Sequence, residues 1–253
     1  MKTIFEWGNF TRPFARNFTI IPKAYLMFGQ LRAVILVFLL LSTWSSAEHL
    51  IVAGGPALRR WENYRTKDDQ HDRWWANFIR ASTLRMVELR KAYGSGAKIT
   101  WMVYQPAYLA RGREDSQPYT AWIAEQAAKR QVSLVWFNST GNFIQTLNNR
   151  SRGSVQTFDF FGHSNRYAFM FEYSTEILAV STATLHENDL SRIKGSIFDR
   201  NAYCKSWGCH TGESMSAVWK RSLGIALEGA RGPTTYTVVG QGKMPAVRGS
   251  WVR

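Results

Sequence analysis

The sequence has little cysteine and few acidic residues, and each shortage excludes a class of protein. Two cysteines among 253 residues exclude a small disulfide-rich scaffold. The 18 acidic residues stand against 32 basic ones, which gives a formal net charge of +14. This surplus favours anionic partners such as acidic glycans or lipid headgroups, unless it is only a solvated cationic surface. The basic residues form neither a stripe nor a nucleic-acid motif, so we expect no specific nucleic-acid partner.

The sequence also lacks an apolar run of the roughly 20 residues that a bilayer-spanning helix needs. The shorter run Ala33 to Leu41 follows a basic segment and precedes Ser45-Ser46-Ala47, which has small residues at the −3 and −1 positions of a cleavage site. This pattern predicts a signal peptide over 1–47, for which Met27 is a more ordinary start than Met1. An N-terminal anchor or a buried helix is the alternative. We therefore expect a secreted or periplasmic protein with no transmembrane segment after cleavage.

The remaining residues, 48–253, are enough for one domain with a substantial core. Apolar runs and helical spacings alternate along them, with short Gly/Pro loops between, which predicts an α/β fold with a mainly parallel sheet covered on both faces. The predicted strands are 49–53, 99–104, 132–137, 155–161, 167–171, 177–180 and 202–207, and the predicted helices are 72–93, 119–129, 143–149 and 213–227.

The two cysteines are Cys204 and Cys209. In an exported protein they suggest a disulfide. If 202–207 is a strand, however, the five residues between them span about 16 Å, whereas bridged Cα atoms are roughly 4.4–6.8 Å apart. We therefore expect Cys204 to be a small buried hydrophobe and Cys209 to be a free thiol.

Cys209 and His163 each follow a predicted strand. Functional groups in open α/β sheets gather beyond the carboxyl ends of the strands, so the two side chains share one edge if their strands are neighbours. A thiolate and an imidazole are the minimum equipment for covalent cysteine catalysis. The predicted helix 213–227 would in addition direct its free N–H groups towards the sulfur and supply oxyanion donors.

Two blocks carry a resemblance to the caspase-like cysteine peptidases, which include caspases, metacaspases and gingipains. Gly208-Cys209-His210-Thr211-Gly212 is similar to the metacaspase Cys-His-Ser-Gly block, and Phe160-Phe161-Gly162-His163 resembles the histidine block. In chain order the resemblance covers most of 48 to about 236. It implies a three-layer caspase-like sandwich and an endopeptidase that acts on a protein or peptide substrate without a cofactor. The predicted signal peptide makes this a secreted endopeptidase.

The resemblance also assigns roles to residues. Cys209 would be the nucleophile and His163 the general acid/base. The Cys209 amide and an amide near His163, at Ser164, would bind the oxyanion. The family usually has glycine where this chain has Ser164, which puts that second donor in doubt.

Two further residues concern the substrate. The metacaspase pattern has an aspartate two residues before the nucleophile that attracts a basic side chain, and here that position is Trp207. Asp159 lies four residues before His163 on the same face of an extended run and is a candidate to replace the charge, but it is roughly 13 Å back along the strand. We therefore expect apolar or small residues to be preferred at the cleaved position, acidic ones next and basic ones least.

Other readings of the sequence remain open. A catalytically inactive caspase-like module would use the same edge and the cationic surface to bind an anionic or protein partner in the cell envelope. The segment Asp68 to Asp72 offers oxygen ligands for calcium, or it is a solvated loop before a helix, and no residue set is predicted to hold a metal. Four tryptophans at helical positions are predicted to form core or groove wall: Trp61, Trp74, Trp75 and Trp122.

Overall fold

The structure, a computed structural model, describes residues 47–67 and 70–253, which belong to one compact unit. The predicted signal peptide lies outside the described residues except for Ala47, and so do Asp68 and Asp69 of the possible calcium segment. Within the described ranges, no helix has the length and apolar character needed to cross a membrane.

Seven of the strands form one sheet in the order β12-β9-β8-β4-β1-β2-β3. All neighbours in it are parallel except β12, which is antiparallel to β9. This confirms the predicted α/β fold with a mostly parallel sheet. The strands are β1 Glu48–Ala53, β2 Lys98–Tyr104, β3 Ser133–Phe137, β4 Val155–Phe161, β5 His163–Ser164, β6 Ala168–Met170, β7 Thr184–His186, β8 Phe198–Ser206, β9 Leu227–Arg231, β10 Thr234–Thr235, β11 Ala246–Val247 and β12 Ser250–Val252.

Helices cover both faces of this sheet. Strand β1 is buried throughout, and its alternating side chains feed two separate clusters: Leu50 and Val52 pack with α5 and α6, whereas Ile51 and Ala53 pack with α2 and α4. The helices are α1 Arg59–Glu62, α2 Asn77–Tyr93, α3 Gln105–Asp115, α4 Tyr119–Lys129, α5 Thr140–Asn148 and α6 Met215–Leu223.

Several predicted boundaries are wrong. The helix predicted over 72–93 begins at Asn77, and the helix predicted over 213–227 runs only from Met215 to Leu223, where Gly224 takes a left-handed φ of 75° and ends it. Residues 177–180 form no strand, because this exposed segment has no neighbouring strand to pair with.

Helix α3 was not predicted. In the sequence, Pro106 follows the apolar run of β2 and indicates only the end of a strand. In the structure Pro106 lies in the first turn of α3, where its missing N–H leaves no hydrogen bond unmade.

Candidate active site

The carboxyl ends of β4 and β8 bring the histidine and cysteine segments side by side. The two strands are hydrogen-bonded neighbours, as the candidate site requires, and Phe160 lies opposite Ser206. The Trp207 N–H donates to the Phe160 carbonyl at 2.8 Å and continues the pairing beyond that point. His163 lies three residues after Phe160, and Cys209 lies three residues after Ser206. Both residues therefore follow the carboxyl ends of neighbouring strands at the same register.

Direct contacts join the two segments. The Ser164 hydroxyl donates to the Cys209 carbonyl at 2.7 Å. Gly208 packs against Ser164 so closely that a Cβ there would lie 2.1 Å from Ser164 Oγ and 3.0 Å from the Gly162 carbonyl oxygen. Only glycine therefore fits at position 208 without moving the segment Gly162 to Ser164.

The His163 ring is held by one carboxylate and by aromatic neighbours. Its Nε2 lies 2.7 Å from Asp72 Oδ2. The ring centroid is 4.1 Å from that of Tyr173 and 5.1 Å from that of Phe78, which meets it edge-on. Among the described residues, His163 Nδ1 has no hydrogen-bond partner. That nitrogen is the one available to exchange a proton with a thiol or a substrate.

Asp72 is fully buried, and no pattern in the sequence predicts its contact with His163. Its Oδ2 also accepts the Ala57 N–H at 2.6 Å. Burial raises the pKa of the Asp72 carboxyl, but the charge and hydrogen bond of His163, the Ala57 amide and the charge of Arg111 outweigh burial and lower the pKa below its usual value. Arg111 Nη1 donates to the carbonyl of Asp72 itself at 2.8 Å and fixes the backbone there.

A second buried carboxylate supports Asp72. Glu62 Oε2 accepts the Asp72 N–H at 2.9 Å, and Arg65 Nε lies 3.4 Å from Glu62 Oε1. Burial, followed by the negative charge of Asp72, raises the pKa of Glu62. The histidine is thus backed by an aspartate whose own position is set by side chains of α1 and α3.

The sulfur of Cys209 lies against Thr234. The Thr234 N–H donates to Sγ at 3.2 Å, and Thr234 Oγ1 is 3.4 Å from Sγ. The expectation that the following helix directs free N–H groups at the sulfur is wrong. Helix α6 begins only at Met215, whose N–H donates to the Arg166 carbonyl at 2.8 Å, and the next amide, Ser216, donates to the Thr211 carbonyl at 2.9 Å.

The turn after Cys209 is fixed by its own residues. His210 takes a left-handed φ of 61°. Its Nδ1 lies 2.6 Å from Glu213 Oε1, which also accepts the Gly232 N–H at 3.1 Å. These bonds tie the turn to the end of β9 and so hold the backbone that carries Cys209.

Trp207 and Asp159, the predicted substrate-binding residues, are brought together in the interior. Trp207 Nε1 donates to Asp159 Oδ1 at 2.9 Å, and Arg85 Nε donates to Asp159 Oδ2 at 2.9 Å. Asp159 is fully buried and Trp207 is 8% exposed, with its ring stacked on Phe161. Burial raises the pKa of Asp159, and Arg85 and Trp207 offset part of that rise. A contact of either side chain with substrate stays a prediction.

Both cysteines are free, as the strand geometry predicts. Cys204 lies in β8 with no exposed surface, and its sulfur packs in the apolar cluster that α5 and α6 cover. Burial raises the pKa of the Cys204 thiol. Cys209 is only partly buried, so the two thiols differ in accessibility.

No group of three or more His, Cys, Asp or Glu side chains in the described ranges is arranged to hold a metal ion. In comparisons with known proteins, no family model, no curated protein and no solved structure matches this chain.

Proposed function

We propose that this chain is a caspase-like cysteine endopeptidase, with Cys209 as nucleophile, His163 as general acid/base and Asp72 as the group that orients His163. The observation that carries the proposal is the shared edge of β4 and β8, where His163 and Cys209 leave the sheet at matched positions and Ser164 bonds directly to Cys209. Proximity and orientation of such a pair are what covalent catalysis needs.

The proposed reaction uses the two ring nitrogens for different tasks. His163 Nδ1 takes the proton of the Cys209 thiol, and Sγ attacks the scissile carbonyl carbon of the peptide. The resulting imidazolium is stabilised by Asp72, which is 2.7 Å from Nε2. It then gives its proton to the leaving amine. Water attacks the thioester, releases the acid product and returns the proton to the sulfur.

The developing oxyanion needs backbone donors. The Cys209 N–H is the first donor in the proposal, and Ser164 is the second. The Ser164 hydroxyl is already bound to the Cys209 carbonyl. Its contribution to the oxyanion would therefore come from its N–H.

The contacts of the buried Asp159 affect the substrate preference that we propose. Its carboxylate is already matched by Arg85 and by the indole N–H of Trp207, so it offers no unpaired charge to a basic substrate side chain. This arrangement supports a preference for apolar or small residues at the cleaved position, acidic residues next and basic residues least.

A catalytically inactive caspase-like module is the second candidate. It is favoured by one observation: the hydrogen-bond contacts of Cys209 Sγ in the described part of the chain are all with Thr234 rather than with His163. Such a module would bind an anionic or protein partner in the cell envelope.

A peptide-library cleavage assay on the purified protein separates the candidates. We expect hydrolysis that Cys209→Ala and His163→Ala each abolish without loss of fold. Cys204→Ala is the matched control: it should cost stability by leaving a small cavity but should spare activity. A thiol-directed electrophile should label Cys209 and not the buried Cys204. Activity that survives in Cys209→Ala would overturn the peptidase proposal, and a profile dominated by Arg or Lys would overturn the specificity.

A further inference from the structure

A groove between α2 and α4 lies outside the candidate active site and shares none of the residues assigned to it. Two hollows of about 270 and 360 Å³ occupy this groove, and Lys129 lines both. Ligand pockets commonly measure about 300–1,000 Å³, so the larger hollow has the size of a small ligand subsite and the smaller one falls just below that range. We call this feature the α2/α4 groove and define it by Trp74, Trp75, Arg80, Trp122, Lys129 and Arg130.

One end of the α2/α4 groove is an aromatic platform. Trp75 stacks on Tyr119 with centroids 4.0 Å apart, and Trp122 packs 6.0 Å from Trp75. Trp74 and Trp122 nevertheless stay 43% and 39% exposed. Trp122 is held by Trp75 and Tyr119 but stays open to solvent, so it presents flat apolar surface to a ligand at little entropic cost, and Trp74 adds a second exposed ring.

The rest of the α2/α4 groove carries basic side chains that outnumber its carboxylates. Within the described ranges Arg80 has no carboxylate partner, and the Arg130 guanidinium donates only to Gln126. Burial and the charge of Arg80 both lower the pKa of Arg130, and no carboxylate opposes them. Lys129 pairs with Glu125 at 2.7 Å, but both side chains are more than half exposed, so this pair neutralises little.

Three ligand classes combine negative charge with flat or apolar parts. A membrane surface needs rings that protrude, whereas these indoles line a hollow. The basic residues of the sequence form no stripe and no nucleic-acid motif, which argues against a phosphodiester chain. A sugar ring places its flat C–H face on an indole, and its hydroxyls can donate to Glu125, whose side chain is more than half exposed.

We propose that the α2/α4 groove binds an acidic oligosaccharide, with sugar rings against Trp74 and Trp122 and carboxylate or sulfate groups against Arg80 and Arg130. The cationic balance of the chain acts in the same direction, because it raises the local concentration of polyanions. This site does not depend on peptidase activity, so either proposal can fail without the other.

Isothermal titration of the full chain tests the site with two probes of equal length, an oligogalacturonate and a neutral cello-oligosaccharide. The wild type should bind the oligogalacturonate and not the neutral oligomer. Trp122→Ala and Arg80→Gln should each weaken binding at least tenfold. The matched controls are Tyr64→Ala, an exposed aromatic elsewhere, and Arg221→Gln, an exposed cation on α6, and both should bind like the wild type.

Circular dichroism checks that each variant is folded, and Trp74→Ala replaces Trp122→Ala if the latter is not. The proposal is overturned if the wild type binds neither probe, if it binds both equally, or if the groove variants bind unchanged. It is also overturned if single-stranded oligodeoxynucleotide or anionic phospholipid vesicles bind more tightly than the oligogalacturonate and lose binding in the same variants.

Discussion

His163 has two ring nitrogens in unlike surroundings, and this difference gives Asp72 its proposed role. Nε2 is 2.7 Å from the Asp72 carboxylate, which holds a proton there and leaves Nδ1 as the acceptor. Without the carboxylate, either tautomer is accessible. The proposed role of Asp72 is therefore to position and charge-stabilise His163 rather than to touch substrate.

We expect Asp72→Asn to lower kcat roughly 10²- to 10⁴-fold while KM changes little, because an amide can keep the contact but cannot stabilise an imidazolium. Steady-state kinetics on the preferred library peptide measure both quantities.

Glu176→Gln is the matched control for Asp72→Asn, since Glu176 is an exposed carboxylate on a loop. It should leave both kcat and KM unchanged. Wild-type kinetics in folded Asp72→Asn would show that the 2.7 Å contact to His163 has no part in the reaction.

Cys209 and His163 could be predicted from the sequence as candidate site residues, whereas Asp72 could not. Each of the first two follows an apolar run that ends a strand, and chain order alone places such residues on one edge of a parallel sheet. Asp72 is 91 positions from His163 and lies in an irregular segment before α2, so nothing periodic points to it. Its acidic neighbours suggested a calcium segment or a solvated loop. The packing of α3 decides otherwise, because Arg111 fixes the backbone at Asp72.

Among the elements, the central buried strands were the most predictable. Strands β1, β2 and β4 are covered on both faces, so each is mostly apolar, although β4 also carries Gln156, Thr157 and Asp159. The segment 177–180 has the same composition but is exposed, because tertiary pairing rather than propensity decides whether such a run becomes a strand. Helix α3 escaped prediction because its charged residues pair with other elements and give it no apolar stripe.

One ion network joins three of the helices. Asp115 at the end of α3 accepts from Arg59 of α1 at 2.6 Å, from Arg111 at 2.7 Å and from Tyr119 of α4 at 2.7 Å. Arg111 is fully buried and Asp115 is 6% exposed. Burial raises the pKa of Asp115, but the hydrogen bonds from Arg59, Tyr119 and Arg111 outweigh it and lower the pKa well below its usual value. The network also steadies Asp72, through Arg111.

We expect Asp115→Asn to reduce the free energy of unfolding at pH 7 by about 3–5 kcal/mol, because it leaves the buried Arg111 charge without its closest carboxylate. The native pKa of Asp115 is depressed, so its stabilisation is complete above the unfolded value of about 3.9 and is lost as pH falls through the native pKa. The difference between wild type and variant should therefore be constant from pH 7 to about pH 5 and shrink below pH 4.

Urea unfolding across this pH range measures that difference. Glu125→Gln, which removes a salt bridge between exposed side chains on α4, is the matched control and should cost no more than about 0.5 kcal/mol. A difference for Asp115→Asn that stays constant down to pH 2 would contradict the assigned pKa direction.

For the whole molecule, alternation of strands and helices is enough to predict a mostly parallel sheet with helices on both faces. The outer strands β9 and β12 were not predicted. Both are short and β12 runs antiparallel, and the helix predicted over 213–227 includes Leu227, the first residue of β9. Strand β12 carries little periodic signal because it has three residues and none of them is buried, whereas three of the five residues of β9 are buried.

The start of β1 gives the predicted cleavage site a structural meaning. Glu48 is the first residue of a strand that lies between β4 and β2. Its N–H donates to the Ser154 carbonyl at 2.8 Å, and its carboxylate accepts from Thr100 Oγ1 at 2.6 Å. Ala47, just before it, is exposed. Cleavage after Ala47 would keep every β1 contact, whereas cleavage a few residues later would remove residues of β1 that pair with β2 and β4.

We therefore expect a mature protein that begins at Glu48, which N-terminal sequencing of the secreted form tests. Signal cleavage needs a small residue at −1 but tolerates a larger one at −2. Ala47→Leu should accordingly block processing and leave a membrane-retained precursor, whereas the matched variant Ser46→Leu should be cleaved like the wild type. An intact start at Met1 or Met27 on a membrane-retained wild-type product would show that the segment is an anchor. Equal processing of the two variants would show that cleavage, if it occurs, is not at Ala47.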